Sequence, residues 1–180
     1  MKEFQDKCVE YDERLSEFLV PIKKAHITLA VLHVPEEKLE EATQLFQSVI
    51  ETKIIGAFEE GDSFKVVFDS IGTFSNKVIF AKPHNNIERM EFMHREFHEA
   101  FTQAGYYCDS KFTLHLTLLK KGFGKGLVNK VPPEAYERLK DMYFGVQEFS
   151  GIQFLSMSQH KPEAKDGYYN REAEYLFKIK

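Results

Sequence analysis

Tryptophan is absent from this chain, cysteine occurs only at Cys8 and Cys108, and the formal charge shows no positive excess. Each shortage excludes something. Two cysteines with no paired spacing leave no disulfide framework and no cysteine-ligated zinc site, and they fit a reducing compartment. With 24 Lys and Arg against 28 Asp and Glu, the net charge of -4 gives no overall electrostatic case for wrapping nucleic acid. A local basic patch is the one electrostatic route left to such a partner. No apolar run approaches the roughly 18 residues that span a bilayer. The first residues, "MKEFQDKCVEYDERL", are too charged for a signal peptide. Cytoplasm or nucleus is the expected address.

What the chain does hold is ordinary for a globular protein. Its 180 residues are 43% hydrophobic and 29% charged, with 17 phenylalanines, enough for one domain with a real core. The apolar residues Phe4, Cys8, Tyr11, Leu15, Phe18 and Leu19 form one helical stripe that Pro21 stops. A strand is expected over 25–33. Pro35-Glu36-Glu37 opens a second helix with the stripe Leu39, Ala42, Phe46, Val49 and Ile50. Strands over 63–70 and 78–82 flank a polar "FSNK" turn. A third helix runs over 87–104 with Met90, Met93, Phe97 and Phe101 on one face, and Gly105 ends it. A strand over 114–120 leads into the lysine- and glycine-rich "KKGFGKGLVNK". Another helix spans 132–143, and strands over 149–159 and 168–179 meet at "AKDG". The economical model is one α+β domain over 1–180, made of two similar lobes of roughly 1–84 and 85–180. No linker or short repeat interrupts it.

Two strands carry an odd polar pair. In "AHITLAVL", His26 and Thr28 share one face; in "LHLTLLK", His115 and Thr117 do the same while leucines point the other way. A lone histidine facing a core is more often a satisfied structural group than a catalyst, and threonine is normal in strands. Repetition of the pair as "HITL" and "HLTL" favours a site. One neutral and one protonated imidazole on opposite sides of a phosphorus can transfer a phosphoryl group in line. The neutral ring takes a proton and the charged ring gives one, while the threonine hydroxyls hold the non-bridging oxygens. The cationic histidine supplies the positive charge, so no metal or other cofactor is expected.

Together "HITLAVLHV", "IGTFSNKVIFAK", "HLTLLK" and "DGYYNREAEYLF" resemble the two-histidine phosphoesterase superfamily, and among its members the central, phosphoesterase-like domain of A-kinase anchoring proteins of the nuclear-localised type. The resemblance covers nearly all of the chain. It implies a bilobal LigT-like α+β fold of antiparallel sheets and helices around a central cleft, with His26, Thr28, His115 and Thr117 lining a phosphate site. It also implies one of two activities. The chain is either a phosphodiesterase for 2',5'-linked or 2',3'-cyclic nucleotide phosphates, or a module that binds AMP or CMP without turnover. Relatives of this type usually begin with a strand before the first helix, whereas this chain begins at the helix. The second motif is often preceded by Lys-Pro, and here it reads "TLHLT". No segment resembles the amphipathic helix that docks protein kinase A, so anchoring is not expected of this chain; a monomer and no membrane contact are.

Weaker signals surround the motifs. Lys120, Lys121, Lys125 and Lys130 follow the second motif and are candidates to attract phosphate; a solvated loop serves equally well. "GFGKG" lacks the spacing of a phosphate-binding loop. Phe74, Tyr168 and Tyr169 are candidates to stack on a base, though packing alone explains each singly. His94 and His98 lie four apart on a helix with no third ligand evident, and an exposed helix edge is the expected reading. His33, His84 and His160 have no partner that the sequence names. A purely protein-binding domain remains a third reading.

Overall fold

The apolar stripes of the sequence sort into two cores. In the computed structural model, which describes residues 1–57, 64–122, 128–157 and 164–177, the chain divides into two compact units, each drawn from three separate stretches. One unit holds Met1–Ile27, Val66–Asn85 and Leu114–Gln147; the other holds Thr28–Lys65, Asn86–Thr113 and Glu148–Lys180. The units therefore interleave along the chain, where the sequence suggested consecutive halves meeting near residue 84.

The first unit opens with α1 (Lys2–Tyr11), which buries Phe4, Gln5 and Cys8. The stripe through Leu19 predicts a longer helix. The helix instead ends at Asp12, which is extended (φ -150°, ψ 109°), and a 3-10 turn covers Glu13–Phe18. Asp12 accounts for the break: its carboxylate accepts from the backbone N–H and the guanidinium of Arg14, capping the new turn and competing with helix continuation. Leu15 and Phe18 still reach the core from the turn. The Cys8 thiol, buried against the Ala135 carbonyl, has its pKa pushed up to about 11 by burial and is inert packing.

A four-stranded antiparallel sheet forms the rest of this unit, in the order β5 (Leu116–Lys120), β3 (Val78–Pro83), β2 (Lys65–Phe74), β6 (Tyr143–Glu148). Two irregularities matter. Between Asp69 and Ile71 the β2–β3 register slips at Ser70, which adopts φ 52°. The freed N–H groups of Ser70 and Ile71 donate to the carbonyls of Met142 and Lys140. Those bonds hold the turn before β6, a strand that begins at Tyr143, where the helix expected over 132–143 ends, and otherwise covers residues to which the sequence assigns no element. The helix there, α4 (Pro133–Tyr136), is one turn long, followed by a 3-10 turn to Leu139. Between β3 and β5 the register passes from Ile79–Leu119 to Phe80–Thr117, leaving Leu118 as an extra residue. That bulge breaks the expected alternation, and Leu118 and Leu119 are both buried.

The second unit packs α2 (Leu39–Val49) against α3 (Ile87–Gln103). Their phenylalanines form the centre of its core. Phe46 stacks on Phe97 at 5.7 Å and 9° and on Phe154 at 5.5 Å and 17°, and Phe101 closes on Tyr106 and Phe154. Phe154 lies on β7 (Gly151–Ser156), which pairs with β8 (Asn170–Leu176). Helix α3 ends at Gln103, one residue before its expected bound, and Gly105 beyond the cap residue Ala104 is left-handed, with φ 85°. The expected strand over 25–33 is not continuous. It survives as a single bridge at Ile27 and as the short β1 (Leu32–His33), paired with β4 (Tyr107–Cys108). Among the described residues no helix is long and apolar enough to cross a membrane.

Phe46 is the hinge of the second core. Phe46→Ala is expected to lower stability by about 3–5 kcal/mol in urea unfolding; a change below about 1 kcal/mol would show that the phenylalanine stack carries little of the fold.

Candidate functional site

In the first unit the segment carrying His26 joins the strand that follows His115 in an uncommon way. β5 is an edge strand, and its outer edge receives the segment leading to the first motif. Leu19 bridges Leu119, the Val20 N–H donates to the Leu118 carbonyl at 3.2 Å, and Ile27 bridges Leu116 in the antiparallel sense. Between the two bridges one side spends seven residues, 20–26, and the other spends two, Thr117 and Leu118. The surplus forms an arch around Pro21 and the 3-10 turn Ile22–Lys24. Proline suits this place, since it cannot donate to a strand ladder.

At the foot of the arch stands His26. The antiparallel bridge brings the residue before Ile27 alongside the residue after Leu116, which sets His26 beside Thr117. Its Nδ1 lies 2.8 Å from the Lys24 carbonyl. A carbonyl only accepts, so Nδ1 carries the proton, and in the neutral ring Nε2 is the basic nitrogen. The His26 pKa is lowered from the ordinary value of 6.5. Burial is the largest cause; the Lys24 carbonyl opposes it, and the positive charges of His115 and Lys120 add to the lowering. The charge of His115 thus reaches His26.

His115 is held by aromatic rings. Its ring centroid lies 5.2 Å from that of Phe74, edge to face at 87°, and 5.3 Å from that of Phe80 at 60°. The sheet register produces this wall. Phe80 pairs with Thr117 on one side and with Gly72 on the other, so the three share a face, and Phe74 and His115 follow two residues along. Gly72 leaves the room: a Cβ built there would stand 2.3 Å from the Phe80 ring. The turn after Phe74 is locked too. Ser75 and Asn76 are left-handed, the Asn76 N–H donates to Thr73 Oγ1, and the Tyr136 hydroxyl donates to Asn76 Oδ1 at 2.7 Å.

The remaining sequence candidates fall as follows. Thr117 is half-buried on β5 beside His26 and opposite Phe80. Thr28 is half-buried and opens the second unit. Phe74 is 39% exposed, so its ring is accessible while touching His115. Lys120 is exposed and its charge reaches His26. Lys121 is tied down instead, with its backbone N–H on the Lys77 carbonyl and its ammonium on Asn129. Lys130 is exposed, and Lys125 lies outside the described residues. Tyr168 and Tyr169 belong to the second unit, where they meet edge to face and the Arg171 guanidinium covers the Tyr168 ring at 5.0 Å. His94 is not on an exposed edge: it is half-buried, stacks on Phe112 at 4.1 Å and donates from Nδ1 to the Leu29 carbonyl. His84 has a partner in Asp69 at 3.1 Å, and His160 lies outside the described residues. Sequence reasoning passed over Gly72, Phe80 and the Lys24 carbonyl. Only the strand register connects them to His26 and His115.

The α+β fold is that of LigT-like phosphoesterases. The LigT protein of E. coli, in a crystal structure complexed with 3'-AMP, superposes with a TM-score of 0.58 at 14% identity, covering 98% of this chain and 92% of LigT. TT0787 of Thermus thermophilus superposes at 0.55 with 22% identity over 98% of this chain and 92% of that one. At these identities the likeness is one of fold. The family model described as AKAP7 2'5' RNA ligase-like domain matches residues 1–177, and the chain belongs to that family, within the two-histidine phosphoesterase superfamily. Human A-kinase anchor protein 7 isoform gamma is 30% identical over 187 residues, covering 98% of this chain and 52% of the human protein. The chain thus spans about half the length of that curated relative.

Two expectations follow. In a proton NMR titration His26 is expected to have its midpoint below that of free histidine, about 6.5, and His115→Ala is expected to raise it by removing an opposing charge. Because the folded-state pKa is depressed, this group's contribution to stability is complete above the unfolded value and is lost as pH falls through the folded one. A midpoint at or above the free value would contradict the geometry. Separately, Gly72→Ala is expected to push the Phe80 ring aside at a cost of about 1–3 kcal/mol and to shift the His115 ring resonances. Unchanged resonances would mean Phe80 does not hold that ring.

Proposed function

We propose that this chain is a phosphodiesterase acting on a nucleotide or short oligonucleotide, through His26 and His115 as base and acid, with Thr28 and Thr117 holding the phosphate. The bond cleaved is a 2',5' linkage or a 2',3'-cyclic phosphate. The observation that carries the reading is the Ile27–Leu116 bridge, which runs the two motif segments side by side, with His26 feeling the charge of His115.

The roles follow from the tautomer and the field. His26 is the base: its Nδ1 proton is engaged by the Lys24 carbonyl, Nε2 is the basic nitrogen, and burial and neighbouring charge favour the neutral ring. His115, as imidazolium, is then the acid. In hydrolysis, Nε2 of His26 takes a proton from water as the water oxygen forms a bond to phosphorus. The opposite phosphorus–oxygen bond breaks, and His115 delivers its proton to the departing oxygen. His26 ends charged and His115 neutral, and exchange with solvent resets both. Threonine hydroxyls donate to the non-bridging oxygens as charge builds there, and the imidazolium supplies the cation. Lys120 contributes to drawing in an anionic substrate, and Phe74, exposed beside His115, offers a stacking face for a base.

A second reading has one observation in its favour: LigT, of the same fold, has been captured complexed with 3'-AMP. On that reading this chain binds a nucleotide without turnover.

Incubation with 2',5'- and 3',5'-linked dinucleotides and 2',3'-cyclic phosphates, with EDTA, separates the readings by product chromatography. Turnover is expected with EDTA present, with a bell-shaped pH–rate profile whose acid limb lies below the pKa of free histidine. His26→Asn and His115→Asn are each expected to lose about a thousandfold with the circular dichroism spectrum retained. An unchanged rate in either variant refutes the assignment. Calorimetric binding of AMP with no product from any diester establishes the second reading.

A further inference from the structure

Among the described residues outside the aromatic and cysteine side chains, one polar side chain is buried, and it lies beneath the join between the arch and β5. Gln5, on α1, is 3% exposed. Its Nε2 donates to the Val20 carbonyl at 2.8 Å and to the Leu118 carbonyl at 2.9 Å. Val20 is the first residue of the arch that ends at His26. Leu118 is the bulged residue of β5, one position past Thr117 and three past His115. The Leu118 carbonyl also accepts from the Val20 N–H, so one amide closes a small ring of hydrogen bonds at this point.

We infer that Gln5 is a positioning residue, clamping the arch to β5 so that His26 is held at a fixed distance from His115. The chemistry demands this residue type. Two carbonyls from separate segments converge on one buried atom, which therefore has to offer two hydrogens. An amide nitrogen does so without charge; lysine or arginine would bring an unpaired cation into the core. The leverage is clear from the chain path. The arch is anchored at its far end by the Ile27–Leu116 bridge and at its near end by Val20, and the near anchor is the one Gln5 completes. His26 takes its orientation from the Lys24 carbonyl, inside the arch. A loosened near end moves that carbonyl, and with it the ring. No other α1 side chain bonds both segments: Cys8 contacts Ala135, and Lys2 and Lys7 pair along the helix.

This inference rests on the phosphodiesterase reading for its kinetic consequence alone; its structural consequence is readable without any substrate. Gln5→Met keeps length and volume and removes both donors. In wild type the change in the His26 midpoint on His115→Ala measures how closely the two rings are held. In Gln5→Met that change is expected to shrink, with a cooperative thermal melt retained, while kcat on a cleaved diester falls about ten- to a hundredfold and KM stays within about threefold. Gln5→Asn, whose amide stops one methylene short of both carbonyls, is expected to behave like Gln5→Met. Should Gln5→Met fail to fold, Gln5→Glu, with the full reach and at most one donor, is expected to weaken the coupling in the same direction. Undiminished coupling between the two histidines in a folded Gln5→Met or Gln5→Glu protein overturns the inference. An inactive wild type with diminished coupling in the variant overturns the phosphodiesterase reading and leaves the clamp standing.

Discussion

Everything near the candidate site depends on how the outer edge of β5 is satisfied. An edge strand presents unpaired N–H and C=O groups that need partners. Here the partners come from the segment between Leu19 and Ile27, which bridges at both ends and arches between them. The mismatch of seven residues against two lifts Pro21 to Lys24 away from the sheet and returns the chain with His26 beside Thr117. Leu118, the bulge in β5, gives its carbonyl to this same seam, accepting from Val20 and from Gln5. The polar motif, the bulge and the buried amide are thus parts of one hydrogen-bonding arrangement.

Charge follows the same division. By sequence, the unit that contains both histidines has 13 lysines and arginines against 10 aspartates and glutamates, while the other has 11 against 18. The net charge of the whole chain conceals one mildly basic unit and one strongly acidic unit. The overall charge of -4 does not suggest that the unit holding His26 and His115 has a basic excess. Burial lowers the pKa of His26 most, and the charges of His115 and Lys120 add to that lowering.

Much of this was legible beforehand. The stripes on α2 and α3 are strictly periodic, and Gly105 marks a helix end that only a left-handed residue permits, so those elements needed little more than spacing. The repeated His-x-Thr pattern made His26, Thr28, His115 and Thr117 candidates because two identical polar pairs in apolar surroundings are hard to explain by packing. The failures have local reasons. Asp12 splits a continuous stripe by capping its own turn, and the short α4 gives way to β6 because Ser70 and Ile71 bond to the turn after it. The strand expected over 25–33 had the right composition but lacked a partner along its length, and pairing is confined to Ile27 and to 31–33, where the Asp109 N–H donates to the Val31 carbonyl and Leu32 and His33 pair with β4. Gly72, Phe80 and Gln5 were invisible for a deeper reason. Their roles depend on which strand lies beside which, and in what register, and a single chain carries that information only through its folded pairing. Gln5 left one trace, an amide on the buried side of a helix otherwise lined by Phe4 and Cys8.

The central claim is that two imidazoles from distant parts of the chain serve one phosphate. Proton NMR of both histidine rings during titration with 3'-AMP, in EDTA, tests it most directly. The account predicts that the His26 and His115 resonances move together and saturate on a single binding curve. Movement of one ring without the other, or of neither at saturating nucleotide, would contradict it.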